Sequence, residues 1–178
     1  MRPHLLCLLV LVACGGGEDP GLVGPSPTPV EVSFRVLSEG QNATFCVEGP
    51  EFAVAMSDEE WIEIYSRQSD CQESGESSLP QVRFDDPDEP EWALAAWWRV
   101  EGCLGYGVET RSVMREGATV TVSATSSSPG GACATAIGGL ESFLAVPASA
   151  MEGSSQIRFV LDGEQLGTIE LGPAPAES

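Results

Sequence analysis

From residue 30 to residue 171 apolar and polar positions alternate in short runs, broken by clusters of Gly, Pro, Asp and Ser. Period-two alternation is the mark of a half-buried strand. Pro29–Leu37 carries Val30, Val32, Phe34 and Val36 between Glu31, Ser33 and Arg35, which predicts one strand, with Ser38–Asn42 as the following turn. Ala43–Glu48, Glu51–Met56 and Pro80–Phe84 predict three more short strands. Ala118–Thr125 (ATVTVSAT) alternates cleanly and predicts the partner of Tyr106–Ser112 across a turn at Met114–Gly117. Ser142–Val146 is a further strand, and Gln156–Leu161 and Gln165–Leu171 flank Asp162-Gly163, a strong hairpin signal. One segment has a different period. Trp61, Ile62, Ile64 and Tyr65 recur at helical spacing after Ser57-Asp58-Glu59-Glu60, where Ser57 and Glu60 fit a capping box. Asp58–Gln68 is therefore read as an amphipathic helix with Trp61 as a core plug. The sum, about nine short strands with one helix, predicts a mainly β (α+β) domain, an antiparallel sheet or sandwich with the helix on one face or end.

The stretch Glu91–Thr110 (EWALAAWWRVEGCLGYGVET) organises this domain. It holds Trp92, Trp97 and Trp98, and reads as a buried central strand, a glycine turn and a second strand. Alternation puts Trp97 and Trp98 on opposite faces, with burial on both sides expected. Gly102–Gly107 lacks the spacing of a phosphate loop, so its glycines suggest a bulge or close backbone approach. The acidic run Asp85–Glu91 lacks the spacing and central glycine of a calcium loop and reads as a solvated turn.

The first residues have another character. Met1–His4 is short and basic, and Leu5–Ala13 is an apolar run too short to span a bilayer, which needs about 20 residues. This is the layout of a secretory signal. It ends in Leu11-Val12-Ala13-Cys14, which resembles the bacterial lipobox. That resemblance implies cleavage before Cys14, diacylglycerol on its thiol, and an envelope location. Gly15 in place of Asp favours the outer membrane by the same resemblance. Residues 15–28 are rich in Gly and Pro and form a tether spanning at most roughly 45–50 Å. The expected organisation is a signal peptide (1–13), lipidated Cys14 with its tether (14–29), one β-rich domain (30–171) and a frayed tail (172–178).

Charge narrows the partners. With 27 acidic and 8 basic residues the formal net charge is −19, and every base is arginine. Such a surface repels nucleic acid and anionic lipid headgroups. The charge serves solubility or a cationic or basic partner. The single histidine, His4, falls in the signal, and lysine is absent. Histidine- or lysine-dependent nucleophiles, Schiff bases and histidine-ligated metals have no residues to work with. Only carboxylate-pair chemistry remains open to an enzyme, and no spacing singles out a pair. The domain is expected to be non-catalytic and without cofactor or metal.

Cys46, Cys71, Cys103 and Cys133 remain after Cys7 leaves with the signal and Cys14 takes lipid. In an exported domain these suggest two disulfides. Three pairings connect them; Cys46–Cys71 with Cys103–Cys133 is preferred because each joins nearby segments. A four-thiolate zinc site is the rival, but zinc ligands usually come in CxxC-like pairs and none occurs.

From Val82 to Pro147 the chain resembles the PrcB C-terminal domain, found in bacterial lipoproteins and in an accessory subunit of a surface protease complex. Pro80-Gln81-Val82-Arg83-Phe84 resembles its Pro-x-Val-Asp-Phe segment, with Arg83 replacing Asp. Gly102–Tyr106 resembles its glycine–tyrosine turn, Phe143–Pro147 its closing motif, and the helix bearing Trp61 its Trp-containing helix. The resemblance marks Trp61, Val82, Phe84, Tyr106, Phe143 and Pro147 as motif positions and implies a non-catalytic, protein-binding or protease-stabilising module. The functional expectation is a membrane-anchored envelope lipoprotein acting as a protein–protein interaction or protease-accessory module. The alternative is a binder of a small ligand or glycan through exposed tryptophan.

Overall fold

The structure is a computed structural model describing residues 27–42, 49–69, 79–103, 106–128 and 135–172. Among these residues nine strands form two sheets, so the mainly β class is as predicted and, of the sheet and the sandwich left open, the fold is the sandwich. They are β1 (Val30–Val32), β2 (Arg35–Asn42), β3 (Glu51–Ala55), β4 (Glu91–Cys103), β5 (Gly107–Glu116), β6 (Thr119–Ser127), β7 (Thr135–Pro147), β8 (Gln156–Leu161) and β9 (Glu164–Glu170). Helix α1 (Asp58–Ser69) follows β3, and a four-residue helix α2 (Ala148–Met151) follows β7. One sheet runs β1-β5-β6-β8-β9 and the other β2-β7-β4-β3. All pairs are antiparallel except β6 with β8. Between β6 and β8 the chain passes through β7 of the other sheet and α2, the kind of long crossover a parallel pair requires.

The molecule has three layers. Leu94, Ala96 and Trp98 of β4 and Leu140, Leu144 and Val146 of β7 face Val113, Val120, Val122, Ile157 and Phe159 of the five-stranded sheet. The alternate residues Ala93, Ala95, Trp97 and Phe143 face outward, where Trp61 and Ile64 of α1 cover them. Strands buried on both faces read as nearly continuous apolar runs, which accounts for ALAAWW and FLAV. Trp61 is 1% exposed, packs edge-on against Phe143 with ring centroids 5.6 Å apart, and donates its Nε1 proton to the Pro80 carbonyl at 2.9 Å. The helix start matches the capping box in function. Ser57 Oγ accepts from the Glu60 N–H at 3.3 Å, while the Glu60 carboxylate accepts from the Met56 N–H at 2.7 Å, one residue earlier than the standard box.

Several boundaries differ from the reading of the sequence. Pro29–Leu37 is two strands in two different sheets, with the change of sheet at Ser33-Phe34, and Ser38–Asn42 continues β2 instead of turning. The alternation holds Val32 in the core, but leaves Val30 and Val36 exposed. Pro80–Phe84 is not a strand. It is an irregular segment that lays Phe84 into the cluster under α1. The β5–β6 turn is Gly117-Ala118, two residues later than the centre of the predicted turn, and only Gly117 has positive φ (60°), as a type II′ turn requires. Strand β7 begins at Thr135, seven residues before Ser142. The Asp162-Gly163 hairpin is as expected, with φ of 51° and 85°, the pattern of a type I′ turn. The predicted strand at Ala43–Glu48, the signal, the tether up to residue 26 and most of the tail lie outside the described residues.

Candidate functional site

Among the described residues the densest charged cluster lies where β4 begins. Glu91 is 4% exposed, although it ends a run of acidic residues. Two guanidinium groups hold it. Arg35 at the start of β2 donates Nη2 to Glu91 Oε2 at 2.6 Å, and Arg83 donates Nη2 to Oε1 at 2.8 Å. The Arg83 backbone N–H adds a third bond to Oε2 at 3.0 Å, and the Arg83 carbonyl accepts from the Glu91 N–H at 2.9 Å. Burial alone would raise the Glu91 pKa. The Arg83 and Arg35 side-chain bonds and the Arg83 N–H outweigh it and hold the carboxyl at about 2. The same bond and charge raise the Arg83 pKa.

Arg83 also sits within 3.7 Å of both Asp86 and Glu89, so it gathers the acidic loop onto itself. Within that loop Asp86 Oδ1 accepts from the N–H groups of Asp88 and Glu89 at 3.0 and 3.1 Å, an Asx turn that lowers its pKa. Arg83 is thus the loop's organiser. A cleft of about 190 Å³ opens beside the cluster, lined by Ser33, Phe34, Arg35, Arg83, Glu89, Glu91, Ala145 and Pro147. Its chemistry is spent internally. Both cations serve Glu91, and a carboxyl held at about 2 is far from the operating pH that a general acid or base needs. The cluster works as a clasp joining β2, β4 and the Arg83 loop.

A second polar group crosses the sandwich. Glu39 of β2 accepts from the Thr110 N–H at 2.8 Å and from Ser142 Oγ at 3.3 Å, and the Thr110 and Ser142 hydroxyls lie 2.9 Å apart. Thr110 borders a bulge in β5, so Glu39 takes up an N–H that the ladder leaves free. Neither polar group was recognisable from sequence. Glu39 and Glu91 are two acids among 27, and only the fold distinguishes them.

The motif positions divide between layers. Trp61, Val82, Phe84 and Phe143 come together in the cluster under α1. Tyr106 packs, half-buried, against the inter-sheet core, and Pro147 pairs with Glu91 at the clasp. These positions therefore serve chiefly in packing. Gly107 makes the close approach expected of the glycine-rich turn, since a Cβ there would sit 2.7 Å from Ser127 Oγ. Cys103 ends β4 opposite Thr135, two positions after Cys133 in sequence. Cys14, Cys46, Cys71, Cys133 and the Cys103 side chain lie outside the described residues.

Trp97 and Trp98 are 7% and 6% exposed, so neither indole offers a platform for a sugar. Both indole N–H groups are buried without a hydrogen-bond partner. The gap between the sheets beside Trp98 measures about 20 Å³, room for about one water. Among the described residues no group of three or more His, Cys, Asp or Glu could hold a metal ion, and no helix is long and apolar enough to cross a membrane. No family model, curated protein or solved structure matches the chain.

Proposed function

We propose that this chain is an envelope lipoprotein, anchored through lipid on Cys14 and probing its surroundings with a non-catalytic domain that binds another protein, as an accessory to a protease or other envelope assembly. The observation that carries the reading is Leu11-Val12-Ala13-Cys14 followed by a Gly/Pro-rich tether. Several acyl chains, each buried methylene contributing about 0.8 kcal/mol, would make such anchoring nearly permanent. The domain's own features support the binding half. The most buried carboxylate among the described residues is clamped in the ionised state, and the domain's histidine-free, lysine-free composition leaves few other groups for catalysis. A glycan-binding role has less support, because Trp61, Trp97 and Trp98 are all spent on packing.

Feeding the native host an alkyne-tagged palmitate tests the anchor. Label is expected on the wild-type chain and none on Cys14→Ser, which should leave the membrane fraction. Label retained by Cys14→Ser, or a soluble wild-type chain, would sink the anchoring claim. Purification of the anchored chain from detergent-solubilised envelope at low and moderate salt tests the interaction. One partner recovered in near-stoichiometric amount at both salts is expected, and an empty purification counts against the interaction module.

A further inference from the structure

The outer face of the five-stranded sheet is covered by no other described element, and its side chains are ordered by charge. Strand β6 lies at its centre and presents Thr119, Thr121, Ser123 and Thr125 outward, since Val120, Val122 and Ala124 point into the core. The register aligns Glu31, Met114, Thr121, Arg158 and Thr168 in one row across all five strands. Arg158 stands between Thr121 and Thr168 in that row. In a chain this acidic every other arginine with a described side chain is engaged. Arg35 and Arg83 bind Glu91, Arg111 binds Glu109 and Thr125, and Arg115 binds the carbonyls of Gly117, Ala150 and Glu152. Arg158 has neither an ion pair nor a hydrogen bond among the described residues, and its Nε is shielded from solvent without a partner. The carboxylates of the face stand at its rim: Glu31 on β1, Glu116 at one end of β5, Glu170 at the end of β9, and, at the other end of β5, Glu109, which is paired with Arg111.

Taking the interaction module above as its premise, we infer that this face is the docking surface, and that Arg158 receives one carboxylate of a protein partner whose surrounding residues are basic. A guanidinium offers a planar fork of donors that matches a carboxylate, and the flanking threonine hydroxyls can hydrogen-bond around it. The rim glutamates would repel a polyanion and attract cations, so the complementary surface is one acid ringed by Lys or Arg. The face carries no aromatic ring for stacking a sugar, which favours a protein over a glycan.

The test places a photo-cross-linking amino acid at Thr121, and in a second chain at Ile62 on the exposed side of α1, in the full-length lipidated protein in its native envelope. A cross-link from Thr121 to a protein is expected. Arg158→Glu should weaken it about tenfold or more, and replacing the acid in the cross-linked patch of the partner by Arg should restore it. Arg158→Gln, with an unchanged melting temperature, serves if the reversal disturbs folding. Cross-linking from Ile62 alone would overturn the docking surface while leaving the interaction module standing. No cross-link from either position would overturn both. A Thr121 cross-link indifferent to Arg158→Glu would overturn carboxylate recognition, and one to a glycan or to a second copy would overturn the stated partner.

Discussion

On the four-stranded sheet Ala93, Ala95, Trp97 and Phe143 point away from the sandwich, and Trp61 and Ile64 of α1, with Phe84, cover them. On the five-stranded sheet the equivalent positions of the central strand are Thr119, Thr121, Ser123 and Thr125, and no described element lies over them. One sheet is a wall between two cores, and the other is a wall between core and surroundings. The residues follow from the difference. A strand buried on both faces has no use for polar side chains, whereas one that is wet on one face alternates strictly. The covered sheet packs on both of its faces, and the other packs on one.

The largest expected effects lie in the covered sheet. Phe143→Ala, at 0% exposure, and Trp98→Ala in the inter-sheet core should each cost about 3–5 kcal/mol in urea unfolding. Thr121→Ala on the bare face should change stability by less than about 0.5 kcal/mol. A Thr121→Ala loss comparable to that of Phe143→Ala would mean that the two outer faces are not different in kind.

That contrast was largely legible in the chain. The alternation of ATVTVSAT and QIRFVL, the apolar run through Trp97 and Trp98, and the period of α1 gave the fold class and the helix, because period reports which faces are buried. Period does not report which strand lies alongside. Pro29–Leu37 keeps one unbroken alternation while its two halves join different sheets. Nor does it report which member of a charged run is buried. Asp85 and Glu91 look alike in sequence, and only the convergence of Arg83 and of Arg35, the latter more than fifty residues earlier, makes Glu91 a buried acid. Arg158 left a faint signal: an outward position between Ile157 and Phe159 in a chain poor in bases.

The clasp gives the next effect. The folded-state pKa of Glu91 lies near 2 against an ordinary 4.5, so it stabilises the fold fully above about pH 4.5, and that stabilisation is lost as pH falls through about 2. The contribution is at most about 3 kcal/mol, reduced by solvent around the half-exposed arginines. Glu91→Gln should therefore lose stability at pH 7 and narrow its deficit between pH 4.5 and pH 2. A deficit constant over that range would show that the carboxylate's charge does not hold the loop. Because the Arg83 segment carries Phe84, the variant should also loosen the cover on Phe143, seen as faster hydrogen exchange in α1.

A smaller effect attends the helix itself. Ser57→Ala removes the acceptor for the Glu60 N–H and should cost about 1 kcal/mol, confined to the cover and without change on the bare face. Exchange rates measured in α1 and β6 would separate the two. Equal acceleration in both would mean that the layers open as one unit.

A contrast between two valines probes the change of sheet. Val32 and Val36 occupy equivalent places in the alternation, yet Val32 is 5% exposed and pairs with Val113 in the five-stranded sheet, while Val36 is 46% exposed on the edge strand of the other. Placing a hydroxyl at Val32 by Val32→Thr buries an unpaired polar group and should cost about 1–3 kcal/mol. Val36→Thr should stay within about 0.5 kcal/mol, because the new hydroxyl meets water. Equal losses at the two positions would imply that Val30–Val36 runs as one strand with one buried face. The chain would then not pass between sheets at Ser33-Phe34, and Arg35 would lose the placement from which it reaches Glu91.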